Sequence, residues 1–188
     1  MDLNGPIEYL PHTFEVASMS GWQECLQKSP IGWLLERKNP SIRYFTLRDF
    51  LGQGEDDLQV AEAKAAIPAS DIVVKIFSRQ RREGHWEEVA NPYFPKYKAT
   101  YWRVMTPGQL GVDKGDDRVQ RSCDHAFSLQ LKNGRFSSYT RERALSEHQR
   151  IMRVPRAKGK SQPRPELWAR ALVDEHEYSC LTGNMFAR

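Results

Sequence analysis

The 188-residue sequence has few cysteines, little net charge and no long apolar run, and each shortage excludes a class of protein. Its three cysteines, Cys25, Cys123 and Cys180, are odd in number and widely spaced. They offer no disulfide framework, and a reducing, cytoplasmic setting is expected. No run of about 18 apolar residues exists, so no transmembrane helix is expected. Met1-Asp2-Leu3-Asn4-Gly5 has no basic stretch leading into an apolar core, so no secretory leader is expected. The P-loop, the G-x-S-x-G elbow and the H-E-x-x-H zinc helix are also absent. Net charge is only +4, with a pI near 9.0, which permits contact with polyanions without demanding it.

What is present suits a globular chain of one domain, or two at most. Hydrophobic residues make up 39% and charged residues 28%, with a mean hydropathy of −0.68. That balance argues against wholesale disorder. Residues 1–29 read as a loosely structured lead-in with a short helix near 23–27, and 30–188 as a helical domain. Asn39-Pro40 suits a helix start, because proline in the first turn gives up an N–H that has no intrahelical partner. Tyr44, Leu47 and Leu51 then recur at helical spacing, and Gly52 ends the run. Asp56-Asp57 opens an Ala-rich helix over 60–67 that Pro68 stops. Ser70 caps a helix with the stripe Ile72, Val73, Ile76 and Phe77, ending at Gly84. The segment 89–96 reads as a loop, and 97–105 as a short helix broken at Pro107-Gly108. Asp116-Asp117 starts a helix whose Val119, Cys123, Ala126 and Phe127 share a face, and Gly134 closes it. Thr140 caps another helix through Ile151. Pro165 opens a last one, with Leu167, Trp168, Ala171 and Leu172 on one side. No β pattern competes, so the expected class is all-α.

An internal repeat organises these helices. Gln80, Gly84 and Trp86 spell Q-x3-G-x-W, and Gln130, Gly134 and Phe136 repeat it with phenylalanine at an offset of 50 residues. Leu51-Gly52 followed by Asp56-Asp57 and Val60 is matched by Leu110-Gly111 followed by Asp116-Asp117 and Val119. A glycine can adopt the left-handed backbone that stops a helix, and a Gln amide can bond backbone groups left open at helix ends. The aromatic two residues later can fold back onto the neighbouring helix. These elements specify stacked helical hairpins, each burying its face against the next.

The Q-x3-G-x-W element resembles the QW motif of the squalene cyclases and of the related prenyltransferase and terpenoid-cyclase α/α-toroids. The stretches 39–52, 97–102 and 180–184 resemble segments of a bacterial and archaeal branch of these repeat proteins. The likeness covers about residues 30–188 and implies the N-terminal half of such a ring. A closed toroid of five or six hairpins takes about 250–300 residues, and this chain has about three hairpins. The expected architecture is therefore an incomplete α/α-toroid. Its unpaired end would self-associate, because an apolar helix face lacks its partner.

The resemblance implies an isoprenoid substrate in a central cavity. Tyr97, Tyr101, Trp102 and Trp168 would line it, presenting π-faces to a carbocation; the same residues would equally serve as ordinary core. Zinc-binding prenyltransferases imply a metal, and Asp174, His176 and Cys180 lie within seven residues, with Cys123 and His125 in reserve. Asp113 with Asp116-Asp117 is superficially like a magnesium-diphosphate carboxylate cluster, but the motif is incomplete and helix capping explains it. The basic segment 150–164 has no interleaved aromatic, which argues against nucleic-acid binding. Two functions stand. One is an enzyme fragment acting on an isoprenoid or other apolar small molecule, with zinc or magnesium as the cofactors to consider. The other is a non-catalytic repeat module binding a protein or polyanion on its concave face.

Overall fold

The computed structural model describes residues 30–153 and 164–186. The lead-in with Cys25, and residues 154–163 of the basic segment, lie outside the described residues. Among the described residues every regular element is helical. The one β feature among them is an isolated antiparallel bridge between Ser137 and Glu177. Among the described residues no helix is long and apolar enough to cross a membrane.

After a short α1 (Ile31–Leu34), Pro40 takes the first position of α2 (Pro40–Phe45), which widens into a π turn over Thr46–Phe50. Asn39 precedes it without a side-chain cap bond. Asp57 caps α3 (Leu58–Ala66), accepting from the amides of Gln59 at 2.7 Å and Val60 at 3.3 Å. Pro68 stops α3, as expected, by sitting in a 3-10 turn over Ile67–Ala69 before α4 (Asp71–Phe77). Ser70 stands at the cap position of α4, but its hydroxyl instead donates back to the Ile67 carbonyl at 2.7 Å.

α5 runs over Thr100–Gln109, so Pro107 does not break it. The missing N–H falls in the last turn, where little of the helix remains to be lost. The Thr106 hydroxyl donates to the Trp102 carbonyl at 2.8 Å one turn earlier. Gly111, with φ +81°, closes α5: its amide bonds Gly108 O at 3.0 Å and the Val112 amide bonds Pro107 O at 2.9 Å, a Schellman end. Asp116 then caps α6 (Asp117–Ser128) through the Arg118 amide at 2.8 Å. Thr140 caps α7 (Arg141–Met152), Pro165 opens α8 (Pro165–Glu175), and α9 (Ser179–Phe186) ends the described chain.

Helix faces differ from the expected stripes in three places. On α6, Ser122 and Ala126 are buried while Phe127 is 38% exposed. On α4, Val73, Ile76 and Phe77 are buried but Ile72 is half exposed. On α8, Ala169 and Val173 face inward while Leu167 is 61% exposed. Helical spacing alone could not choose between these sides, because α8 has apolar residues around most of its circumference.

α2 packs on α3, α5 on α6 and α9, and α7 on α8. The first core joins Tyr44, Leu47, Val60, Ile67, Val73 and Trp86 with their neighbours. The second joins Tyr101, Ala126, Phe136, Leu181 and Met185, and the third is the α7–α8 pair around Ala144, Ala169 and Val173. Burying a side chain the size of Trp86 removes enough apolar surface to contribute about 3 kcal/mol.

The 50-residue rhythm is a backbone fact. In the first turn the Arg81 amide bonds His85 O at 2.8 Å and the Gly84 amide bonds Arg81 O at 2.9 Å. In the second, Leu131 to Arg135 O is 2.9 Å and Gly134 to Leu131 O is 2.8 Å. Gly84 and Gly134 have φ of +90° and +81°. They do not end helices, since α4 stops at Phe77 and α6 at Ser128. They shape a tight turn beyond the helix end. Each turn then hands its aromatic residue to a threonine hydroxyl, with Trp86 N to Thr100 Oγ1 and Phe136 N to Thr182 Oγ1 both 3.1 Å. α9 therefore stands after the second turn as α5 does after the first, with the α7–α8 pair inserted between.

Candidate functional site

The segment after Trp86 packs aromatics into a loop, 87–98, that carries two of its residues in the left-handed backbone region: Glu87 at φ 56° and Tyr97 at φ 67°. Non-glycine residues avoid that region at a cost of about 1–2 kcal/mol each. Tertiary bonds hold the loop nonetheless. The Thr140 hydroxyl donates to Ala90 O at 2.6 Å, the Trp102 indole to Tyr93 O at 2.9 Å, and the Tyr101 amide to Pro92 O at 3.0 Å. Strain retained in this way is commonest where a site is built.

Opposite this loop runs the segment joining α8 to α9. The Ser137–Glu177 bridge fixes it, with the Ser138 amide bonding His176 O at 3.1 Å. The Ser137 hydroxyl donates to Val173 O at 2.8 Å. Between the two lies a recess of about 320 Å3 lined by Tyr93, Phe94, Lys96, Tyr139, His176 and Tyr178, with Ser138. Tyr93 lies 5.1 Å from Trp102 and 6.3 Å from Tyr178, centroid to centroid, and Tyr139 lies 4.7 Å from His176. Tyr97 extends the cluster, 5.1 Å from Trp102.

Charge enters the recess with one sign. Lys96 places its ammonium 5.3 Å from the Tyr97 ring and 5.5 Å from the Trp102 ring, a cation–π arrangement. No carboxylate belongs to the lining. His176 Nδ1 lies 2.9 Å from Leu172 O, so it carries the proton and leaves Nε2 as an acceptor in the neutral ring. The arrangement can stack an apolar body between rings and meet an anionic group with Lys96.

The four aromatics expected to line one cavity divide among three places. Trp102 and the exposed Tyr97 belong to the cluster beside the recess. Tyr101 is 1% exposed in the second core, edge-on to Phe136, and burial drives its phenol pKa upward. Trp168 packs at a tilt against His148, 5.4 Å between ring centroids, within the α7–α8 pair. The expected metal ligands also separate. Among the described residues no three His, Cys, Asp or Glu side chains gather to hold an ion. Asp174 faces Arg170 at 3.8 Å, His176 lines the recess, and the Cys180 side is exposed. Asp116, from the incomplete carboxylate cluster, is spent on capping α6 and on Arg118, whose hydrogen bonds hold its pKa below the ordinary carboxylate range.

Tyr93, Phe94, Tyr139 and Tyr178 carry no motif and come from three stretches of chain. The density of aromatic rings in 93–102 was the available signal for one wall. A larger groove, about 550 Å3, runs along α8; Arg141 meets Glu166 across it at 2.6 Å, Arg170 and Asp174 approach to 3.8 Å one turn apart on α8, and Lys132 also lines it. No protein-family model, no curated protein and no solved structure matches the chain.

Proposed function

We propose that this chain is a helical-hairpin repeat module that reversibly holds a small amphipathic anion, an apolar body with an acidic head, in the aromatic recess. The observation that carries the reading is the pairing of aromatic walls with a single lysine and no acid in the lining. Apolar surface drives entry, and the ammonium selects the head group. An isoprenoid diphosphate is one molecule of this chemistry, which keeps the resemblance to prenyltransferases and terpenoid cyclases relevant to the ligand. The α2 to α6 succession and its return in α9 support the further reading that the hairpins are the opening turns of an α/α-toroid.

Binding is favoured over catalysis because alkene protonation needs a carboxylic acid at the cavity wall, and none of the lining residues is one. The test is titration of the full chain with farnesyl diphosphate, farnesol and inorganic diphosphate, followed by tryptophan fluorescence. Farnesyl diphosphate is expected to bind about tenfold more tightly than farnesol, and Lys96→Ala to abolish that preference. Tyr93→Ala weakens both apolar ligands. Equal binding to wild type and Tyr93→Ala, or no binding by wild type, overturns the proposal. Steady release of diphosphate from farnesyl diphosphate overturns the non-catalytic part and favours the enzyme reading.

A further inference from the structure

Away from the recess, the first repeat turn brings the buried His85 against the half-buried His125. His85 is 9% exposed, and its ring lies 5.0 Å from that of His125 on α6. His85 Nδ1 and His125 Nε2 are both buried without a hydrogen-bond partner. The turn itself is pressed onto α6: the Gln80 amide donates to Arg118 O at 2.8 Å, and a Cβ added at Gly84 would meet the Arg121 carbonyl oxygen at 2.1 Å. The residue after His85 is Trp86, whose amide and carbonyl both bond the Thr100 hydroxyl, at 3.1 and 3.0 Å. The strained Glu87 and the recess-forming loop follow directly.

We propose that His85 and His125 form a proton-operated latch that holds the first repeat turn on α6 when neutral and releases it when protonated, loosening the recess loop. This regulation of the recess rests on the ligand reading above. Two imidazolium rings at this spacing repel, and the buried nitrogens, His85 Nδ1 and His125 Nε2, would each carry a proton with no acceptor.

Among the charged groups around the pair, Glu83 stands 3.7 Å from His85 Nε2 and is the one that favours protonation. α6 brings Cys123 and Asp124 beside His125, while its Arg118 is held by Asp116 and its Arg121 meets Gly84 through its backbone carbonyl. The charged residue of α5 is Arg103, and those of α4 are Asp71 and Lys75, both exposed. Burial first, and then the His85 charge, lower the His125 pKa from its ordinary value of 6.5. The unfolded chain therefore takes up protons before the folded one. The contact is at full strength above that ordinary value and weakens as pH falls below it toward the lowered folded value.

The test is amide hydrogen exchange on the full chain at about pH 7.5 and about pH 5, corrected for intrinsic rates, beside binding of farnesyl diphosphate at both. Wild type is expected to exchange about tenfold faster across 81–98 at the lower pH and to bind about fivefold more weakly. His125→Phe, an aromatic that cannot charge, is expected to lose both responses. Equal exchange at the two pH values, or an unchanged response in His125→Phe, overturns the latch. Should that variant not fold, NMR titration of the wild-type rings decides. Two coupled titrations support the latch, and two independent ordinary ones overturn it. Pinned exchange with no ligand bound at either pH overturns the latch and the recess reading together. Acid-released exchange with no ligand bound supports the latch and overturns the recess reading alone.

Discussion

The two repeat turns share a backbone and differ in what they press against. The first, around Gly84, lies on the spine of α6, with Gln80 reaching the Arg118 carbonyl. The second, around Gly134, closes on itself, with the Gln130 amide donating to Gly134 O at 2.8 Å. Beyond the glycines the contrast continues. His85 is buried against another ring, whereas Arg135 is exposed and faces Glu177 at 3.4 Å. A motif thus specifies the local turn, and the helix beside it decides how much stability that turn carries.

Replacing each glycine by alanine gives the largest expected contrast. Both positions have left-handed backbone, so both substitutions lose about 1–2 kcal/mol. At Gly134 nothing more follows, because the nearest atom to an added Cβ is Gln130 Nε2 at 3.9 Å. At Gly84 the methyl would lie 2.1 Å from a helix carbonyl oxygen that cannot step aside. Gly84→Ala is therefore expected to destabilise by about 4 kcal/mol or more, at the exceptional end for single substitutions. Urea denaturation of the two variants measures the gap. Equal losses would show that the first turn does not depend on its seat on α6.

The hairpin rhythm, the aspartate caps and the Pro165 start were legible in the sequence because each rests on bonds within a few residues. Asp57 and Asp116 cap because a carboxylate two residues ahead of an open amide can reach it. Those signals stop at the edge of a turn. Nothing near Tyr93 indicates Tyr139 or Tyr178, since the approach of these rings depends on the Ser137–Glu177 bridge and on Thr140 reaching Ala90. Tyr101 and Trp102 are neighbours in a helix, and adjacent helical positions point to different faces, so one went to the core and the other to the aromatic cluster beside the recess. His176 and Cys180 are four residues apart in sequence, and in the structure His176 donates from Nδ1 to the Leu172 carbonyl, a bond that no local pattern announces.

The threonines that receive the two turns sharpen the comparison further. Thr100 is fully buried, accepts from the Trp86 amide and donates to the Trp86 carbonyl. Thr182 is partly exposed and accepts only from the Phe136 amide. Valine keeps the shape of threonine and removes the hydroxyl, leaving the backbone groups unpaired. Thr100→Val orphans two buried groups and is expected to cost about 2–4 kcal/mol, against about 1 kcal/mol for Thr182→Val. A calorimetric melting comparison reads both. A smaller loss at Thr100 than at Thr182 would reverse the order of the two junctions.

The least effect is expected where the second turn meets solvent. Arg135 and Glu177 approach to 3.4 Å, but the arginine side chain is 60% exposed and its partner already accepts from Asn133 Nδ2 at 2.9 Å. Water and salt screen such a pair, and holding a long side chain in place offsets much of the attraction. Arg135→Ala is expected to change stability by about 0.5 kcal/mol or less, and less still at high salt. A loss several times larger in urea denaturation would mean that Arg135 anchors the α8–α9 segment. The second turn would then lean on its neighbour as firmly as the first, through charge at the surface in place of close backbone packing.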